Sequence, residues 1–99
     1  MSGAQYKISQ TGFLLLASPA SGGNARLGFI IARKHVKHAV DRNRIKRCLR
    51  ETFRKTGQTL PALDIVFLAR HDAGKLLTDD IHAAANQAFE RLRRKVTKP

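Results

Sequence analysis

One cysteine, no tryptophan, one tyrosine and three prolines in 99 residues exclude several kinds of protein at once. Cys48 alone closes no internal disulfide and has no second thiol with which to hold a metal, so neither a disulfide scaffold nor a zinc module fits. No apolar run reaches the roughly 18 to 20 residues that span a bilayer, and the start lacks a charged segment followed by a long apolar one. The chain therefore reads as soluble and cytoplasmic, with no membrane partner. His35, His38, His71 and His82 are scattered, without carboxylates or cysteines at metal-ligand spacing. Asp79 and Asp80 are adjacent, which on a helix points them apart, and the positive first turn of a helix accounts for both. No Ser, His and Asp set and no phosphate-cradling glycine loop stands out. The expectation is that the protein holds no catalytic residue and no metal ligand of its own.

Acidic residues are also scarce, seven against nineteen Lys and Arg, which leaves a formal net charge of +12. A surface of that sign attracts polyanions, and guanidinium clusters suit phosphate geometry, so nucleic acid is the leading partner. With 42% hydrophobic residues the chain can build one modest core, and residues 1–99 read as one domain.

The first eleven residues are polar and sparsely patterned. "GFLLLAS" (12–18) is an apolar run of strand length, and "PASGGN" (19–24) is dense in turn formers. The turn predicts a hairpin-like pairing of that strand with "RLGFIIAR" (26–33). Alternation sets Leu27, Phe29 and Ile31 on one face. Gly28, Ile30 and Ala32 share the other, a flatter surface against which something could lie. From 39 to 55 the period becomes helical, with Ile45, Cys48, Leu49, Thr52 and Phe53 in one stripe and Gly57 placed to stop the helix. "DIVFLAR" (64–70) predicts a strand buried on both sides. A last helix over 79–96 has Thr78 as its N-cap and buries Ile81, Ala84, Ala85, Ala88, Phe89, Leu92 and Val96. Basic residues Arg91, Arg93, Arg94 and Lys95 stand at its negative end. Strand, strand, helix, strand, helix is the order of a small α/β (α+β) sandwich.

Seven Lys and Arg, against one Asp and one Glu, crowd "DRNRIKRCLRETFRK" (41–55). At 100° per residue, Asn43, Arg47, Arg50 and Arg54 lie diametrically opposite the apolar stripe. Arg44 and Lys46 flank that ridge, and Arg42 lies nearer the apolar edge, from which it can snorkel toward the sheet. Like charges at i, i+4 cost roughly 0.2 to 0.5 kcal/mol per pair, and Glu51 offsets only part of this. Phosphates would take up the rest, with Asn43 adding an amide that donates and accepts.

The segment "ARLGFIIARKHVKHAVDRNRIKRCLRETFR" (25–54), followed by "DIVFLAR", resembles the protein component of bacterial ribonuclease P, whose hallmark is the Arg-Asn-Arg of Arg42, Asn43 and Arg44. The resemblance implies a protein subunit that binds a large catalytic RNA and helps it remove the 5′ leader of precursor tRNA. In that family the RNA and its Mg²⁺ ions perform the cleavage, the protein alone is inactive, and no further protein partner is required. Carried over by position, Arg42, Asn43, Arg44, Lys46, Arg47, Arg50 and Arg54 would contact the catalytic RNA. Leu14, Leu16 and Ile30, with Arg33 and Lys34 at the edge, would hold the leader. The implied fold is ribosomal protein S5 domain 2-like, with the basic helix in a left-handed crossover between parallel strands. Family members usually open with a helix that no segment of this sequence fits, and often carry an aromatic residue where Leu14 or Leu16 stands. The alternative function is a structural RNA-binding protein such as a ribosomal component. The spacing of the hallmark favours the ribonuclease P subunit.

Overall fold

Four strands, β1 (Tyr6–Gln10), β2 (Phe13–Pro19), β3 (Arg26–Ile30) and β4 (Leu63–Ala69), make one sheet in the order β1-β2-β4-β3. Two helices, α1 (Ala39–Thr56) and α2 (Thr78–Thr97), and a short 3-10 turn at Ala73–Lys75 complete the order of elements. The computed structural model describes residues 5–20, 22–56, 60–70, 73–76 and 78–97.

The expected hairpin between the two strands that flank "PASGGN" does not form. β2 instead pairs antiparallel with β1 on one side and β4 on the other, while β3 pairs parallel to β4. The reason is non-local: β4 offers seven residues of ladder to β2, and the hairpin turn falls earlier, at Thr11 and Gly12, where Gly12 takes a φ of 86°. β1 is a strand that the apolar pattern missed. Only Ile8 is fully buried in it, and pairing with β2 supplies what its own composition lacks. β3 also stops at Ile30 rather than 33, because the chain turns as the amides of His35 and Val36 both donate to Ala32 O.

β4 is buried on one side and not two: Leu63, Ile65, Phe67 and Ala69 are enclosed, whereas Asp64, Val66 and Leu68 are partly open. Both helices lie on the enclosed side. Ile45, Cys48 and Leu49 of α1 and Ile81, Ala85, Ala88, Phe89 and Leu92 of α2 share one core with Ile8, Leu15, Ile65 and Phe67. Phe67 is its centre, stacked on Phe13 at 4.8 Å and tilted against Phe29 at 6.0 Å between ring centroids. The helix stripes face the core where the sequence places them, but Phe53, Ala84 and Val96 are only half-buried at its margin, Phe53 packing against Phe89. α2 begins at Thr78 itself, and the expected stop at Gly57 lies outside the described residues. The result is a two-layer α/β sandwich with one bare sheet face and a β3-α1-β4 unit between parallel strands. Arg91 and Lys95 of α2 donate to Ser9 O and Lys7 O, occupying carbonyls of the edge strand β1. Edges left open invite pairing with other chains.

Burial pushes the Cys48 thiol above its ordinary value, with the Arg44 charge pulling the other way. The thiolate is the reactive form, so the folded protein should resist a thiol reagent at neutral pH and label fully in denaturant. Labelling of the native chain as fast as a free cysteine would place Cys48 outside the core. Because the unfolded thiol ionises first, this group favours folding less as pH rises above its unfolded value.

Candidate nucleic-acid interface

The outer side of α1 is a strongly basic surface. Asn43, Lys46, Arg47, Arg50, Glu51 and Arg54 line a shallow depression of about 430 Å³ along it. Asn43, Arg47, Arg50 and Arg54 are exposed and Lys46 half-buried, as an amphipathic helix with its stripe at Ile45, Cys48, Leu49 and Thr52 requires. The Arg50 guanidinium stands 5.3 Å from the centre of the Phe29 ring, which steadies the side chain without neutralising it. Glu51 is drawn toward α2, where its carboxylate lies 3.7 Å from His82 Nε2. His82 Nδ1 meets Thr52 Oγ1 at 3.1 Å, and that hydroxyl donates to Cys48 O.

Arg42 and Arg44 are placed differently. Arg42 Nη1 donates to Val36 O and Lys37 O, both at 3.0 Å, in the connection that leads into α1. Arg44 Nη1 donates to Leu76 O at 2.9 Å and reaches Thr78 Oγ1 at 3.5 Å, while its Nη2 lies 3.7 Å from the Asp41 carboxylate. Asn43, between them, points outward.

The bare sheet face is the second surface. Cross-strand register aligns Ser9, Leu14, Leu68 and Ile30 in one row and Lys7, Leu16, Val66 and Gly28 in the next. Ile30 is 54% exposed, Leu16 half-buried and Leu14 only 6% exposed, so Leu14 is floor and Ile30 offers contact area. Arg33 and Lys34 are exposed in the turn beyond Ile30, and Arg70 leaves β4 with Nη1 3.4 Å from Ser9 Oγ. The opposite end carries the Arg26 and Asp64 ion pair at 3.2 Å. Cations thus gather at one end of an apolar face. Val66, Leu68 and Arg70 were missed as members of this surface; a period of two through "DIVFLAR" was the available signal, hidden by its unbroken apolar run. Elsewhere, Arg93 bonds to Glu90 and holds that carboxyl below its usual range, on the outer side of α2. Among the described residues no three of His, Cys, Asp and Glu gather as a metal site. No described helix is long and apolar enough to cross a membrane.

A basic helix beside an open, partly apolar sheet face has the charge and shape of a nucleic-acid-binding α/β protein. Comparison with known proteins makes this specific. The family model of ribonuclease P matches residues 3–93. The ribonuclease P protein component of Chromohalobacter salexigens is 41% identical over 95 residues, which are 96% of this chain and 74% of that protein. That of Marinomonas sp. is 44% identical over 93 residues, 94% of this chain and 70% of its own length. The solved RNase P protein of Staphylococcus aureus superposes with a TM-score of 0.78 at 26% identity, covering 89% of this chain and 81% of that one. The chain belongs to the bacterial ribonuclease P protein family. Its function is that of the RNA-binding subunit of the ribonucleoprotein endonuclease that matures the 5′ end of tRNA, with the RNase P RNA and precursor tRNA as partners.

Proposed function

We propose that the two surfaces divide the two RNAs between them. The α1 ridge of Asn43, Lys46, Arg47, Arg50 and Arg54 contacts the catalytic RNA, with Arg42 and Arg44 at its base. The bare sheet face, with Leu16 and Ile30 over Leu14 and with Arg33 and Lys34 at its edge, takes the single-stranded leader. One observation carries this reading: the ridge faces away from the core on one layer of the sandwich, and the apolar face lies on the other. One ligand chemistry suits each. Phosphates meet guanidinium groups on the helix, and splayed bases meet apolar side chains on the sheet. Mg²⁺ belongs with the RNA in this reading, the single domain acts in the cytoplasm, and no second protein is needed.

Reconstitution tests it. Protein alone should leave precursor tRNA intact, and addition to the catalytic RNA should raise cleavage at low Mg²⁺ by screening repulsion between the two RNAs. A folded sample that gives no stimulation at any Mg²⁺ concentration would refute the assignment.

A further inference from the structure

The two arginines of the Arg-Asn-Arg hallmark stand where a cation gains least from the helix itself, in the first turns of α1, where the dipole is positive. Their contacts explain the placement. Residues two apart on a helix project about 200° from each other, so Arg42 and Arg44 leave α1 on opposite flanks, with Asn43 between them and pointing out. Arg42 takes the two backbone carbonyls of Val36 and Lys37, in the segment joining β3 to α1. Arg44 takes Leu76 O and the Thr78 hydroxyl, at the start of α2. Each grip uses one terminal nitrogen, Nη1, and each is a half-buried side chain rather than an exposed one. By contrast Asn43, Arg47, Arg50 and Arg54 are exposed along the depression.

We propose that Arg42 and Arg44 are positioning residues: they clamp the first turns of α1 between the incoming connection and α2, and so fix the direction in which Asn43 and the ridge meet RNA, without themselves neutralising phosphate. The inference rests on the assignment of the ridge to RNA. Its physical content is a separation of two roles within one basic motif. A phosphate contact needs the positive charge and adds to the salt dependence of binding. A clamp on carbonyls needs an N–H donor, and a neutral donor serves.

Arginine and its neutral isostere citrulline differ in that way. Citrulline keeps one terminal NH₂, enough for either grip, and loses the charge. The full 99-residue chain can be joined at Cys48 from segments 1–47 and 48–99, which puts Arg42, Arg44 and Arg47 in the synthetic half. Affinity for the catalytic RNA is then measured across a range of salt for Arg42→citrulline, Arg44→citrulline and, as reference, Arg47→citrulline. The reference should lower the slope of log affinity against log salt by about 0.7 to 0.9. The first two should leave the slope unchanged and the affinity within about threefold. A slope lowered as in the reference would overturn the proposal. Arg44→Ala, which removes the donor, should weaken binding by tenfold or more, again at unchanged slope, with faster amide exchange in α1 and in the first turn of α2. Should the unmodified chain bind no RNA at all, it is the functional assignment that fails. Exchange in the free Arg42→Ala and Arg44→Ala proteins then judges the clamp separately, with unaltered protection counting against it.

Discussion

Replacing Arg47, Arg50 and Arg54 together by Ala should flatten the salt dependence of binding to the catalytic RNA by about 2 to 3 units of slope, since each phosphate no longer neutralised removes about 0.7 to 0.9. Between roughly 50 and 200 mM salt, the unmodified chain should then weaken by about 20- to 40-fold more than the variant. The free protein should not suffer. All three side chains are exposed and none enters the shared core. Alanine is the best helix former, and the change relieves repulsion between Arg47 and Arg50 and between Arg50 and Arg54, roughly 0.2 to 0.5 kcal/mol for each pair. Against that stands the packing of Arg50 on the Phe29 ring, worth about 0.5 to 1 kcal/mol at an exposed site. Thermal unfolding should therefore move by only a few degrees while affinity collapses. An unchanged slope would return the ridge to ordinary solvent, and a large drop in stability would show that these residues serve the fold.

How much of this was legible in the sequence follows from what is local. The α1 stripe and ridge depend on residues within one helix, so Ile45, Cys48, Leu49 and Thr52 on one side and Asn43, Arg47, Arg50 and Arg54 on the other could be assigned from spacing alone. The presence of a strand around 64–70 was legible for the same reason. Its place between β2 and β3 was not, because nothing in "PASGGN" records that a strand some forty residues later will take the partner that the turn offers. β1 fails in the opposite direction: Tyr6, Ile8 and Gln10 alternate with Lys7 and Ser9, a weak pattern that becomes a strand through its register with β2. The positions of Arg42 and Arg44 on the helix were readable, and their partners were not. Val36 O, Lys37 O and Leu76 O are backbone atoms, and a backbone carbonyl leaves no mark on the identity of its residue.

The bare face supplies the second large effect, because it can be strengthened as well as broken. Ile30→Glu places a carboxylate beside Arg33 and Lys34 at the basic end of the apolar row, where a leader phosphate would otherwise sit. At 54% exposure the original side chain contributes little to the core, so the fold should tolerate the change. Preference for precursor over mature tRNA should fall by roughly tenfold or more, while affinity for the catalytic RNA, held on the other layer, stays within twofold. Leu16→Phe acts the other way. Leu16 is half-buried in β2, between Lys7 and Val66 on the neighbouring strands, and an aromatic ring suits a strand position of that kind. Stacking of one base on a ring contributes about 1 to 3 kcal/mol, so the same preference should rise by about 5- to 150-fold. The sign of the paired result is the test. If the leader lies on this face, the glutamate weakens and the phenylalanine tightens binding of precursor tRNA alone. If it lies elsewhere, neither substitution separates precursor from mature tRNA, and the apolar row of Leu14, Leu68 and Ile30 is left to another ligand.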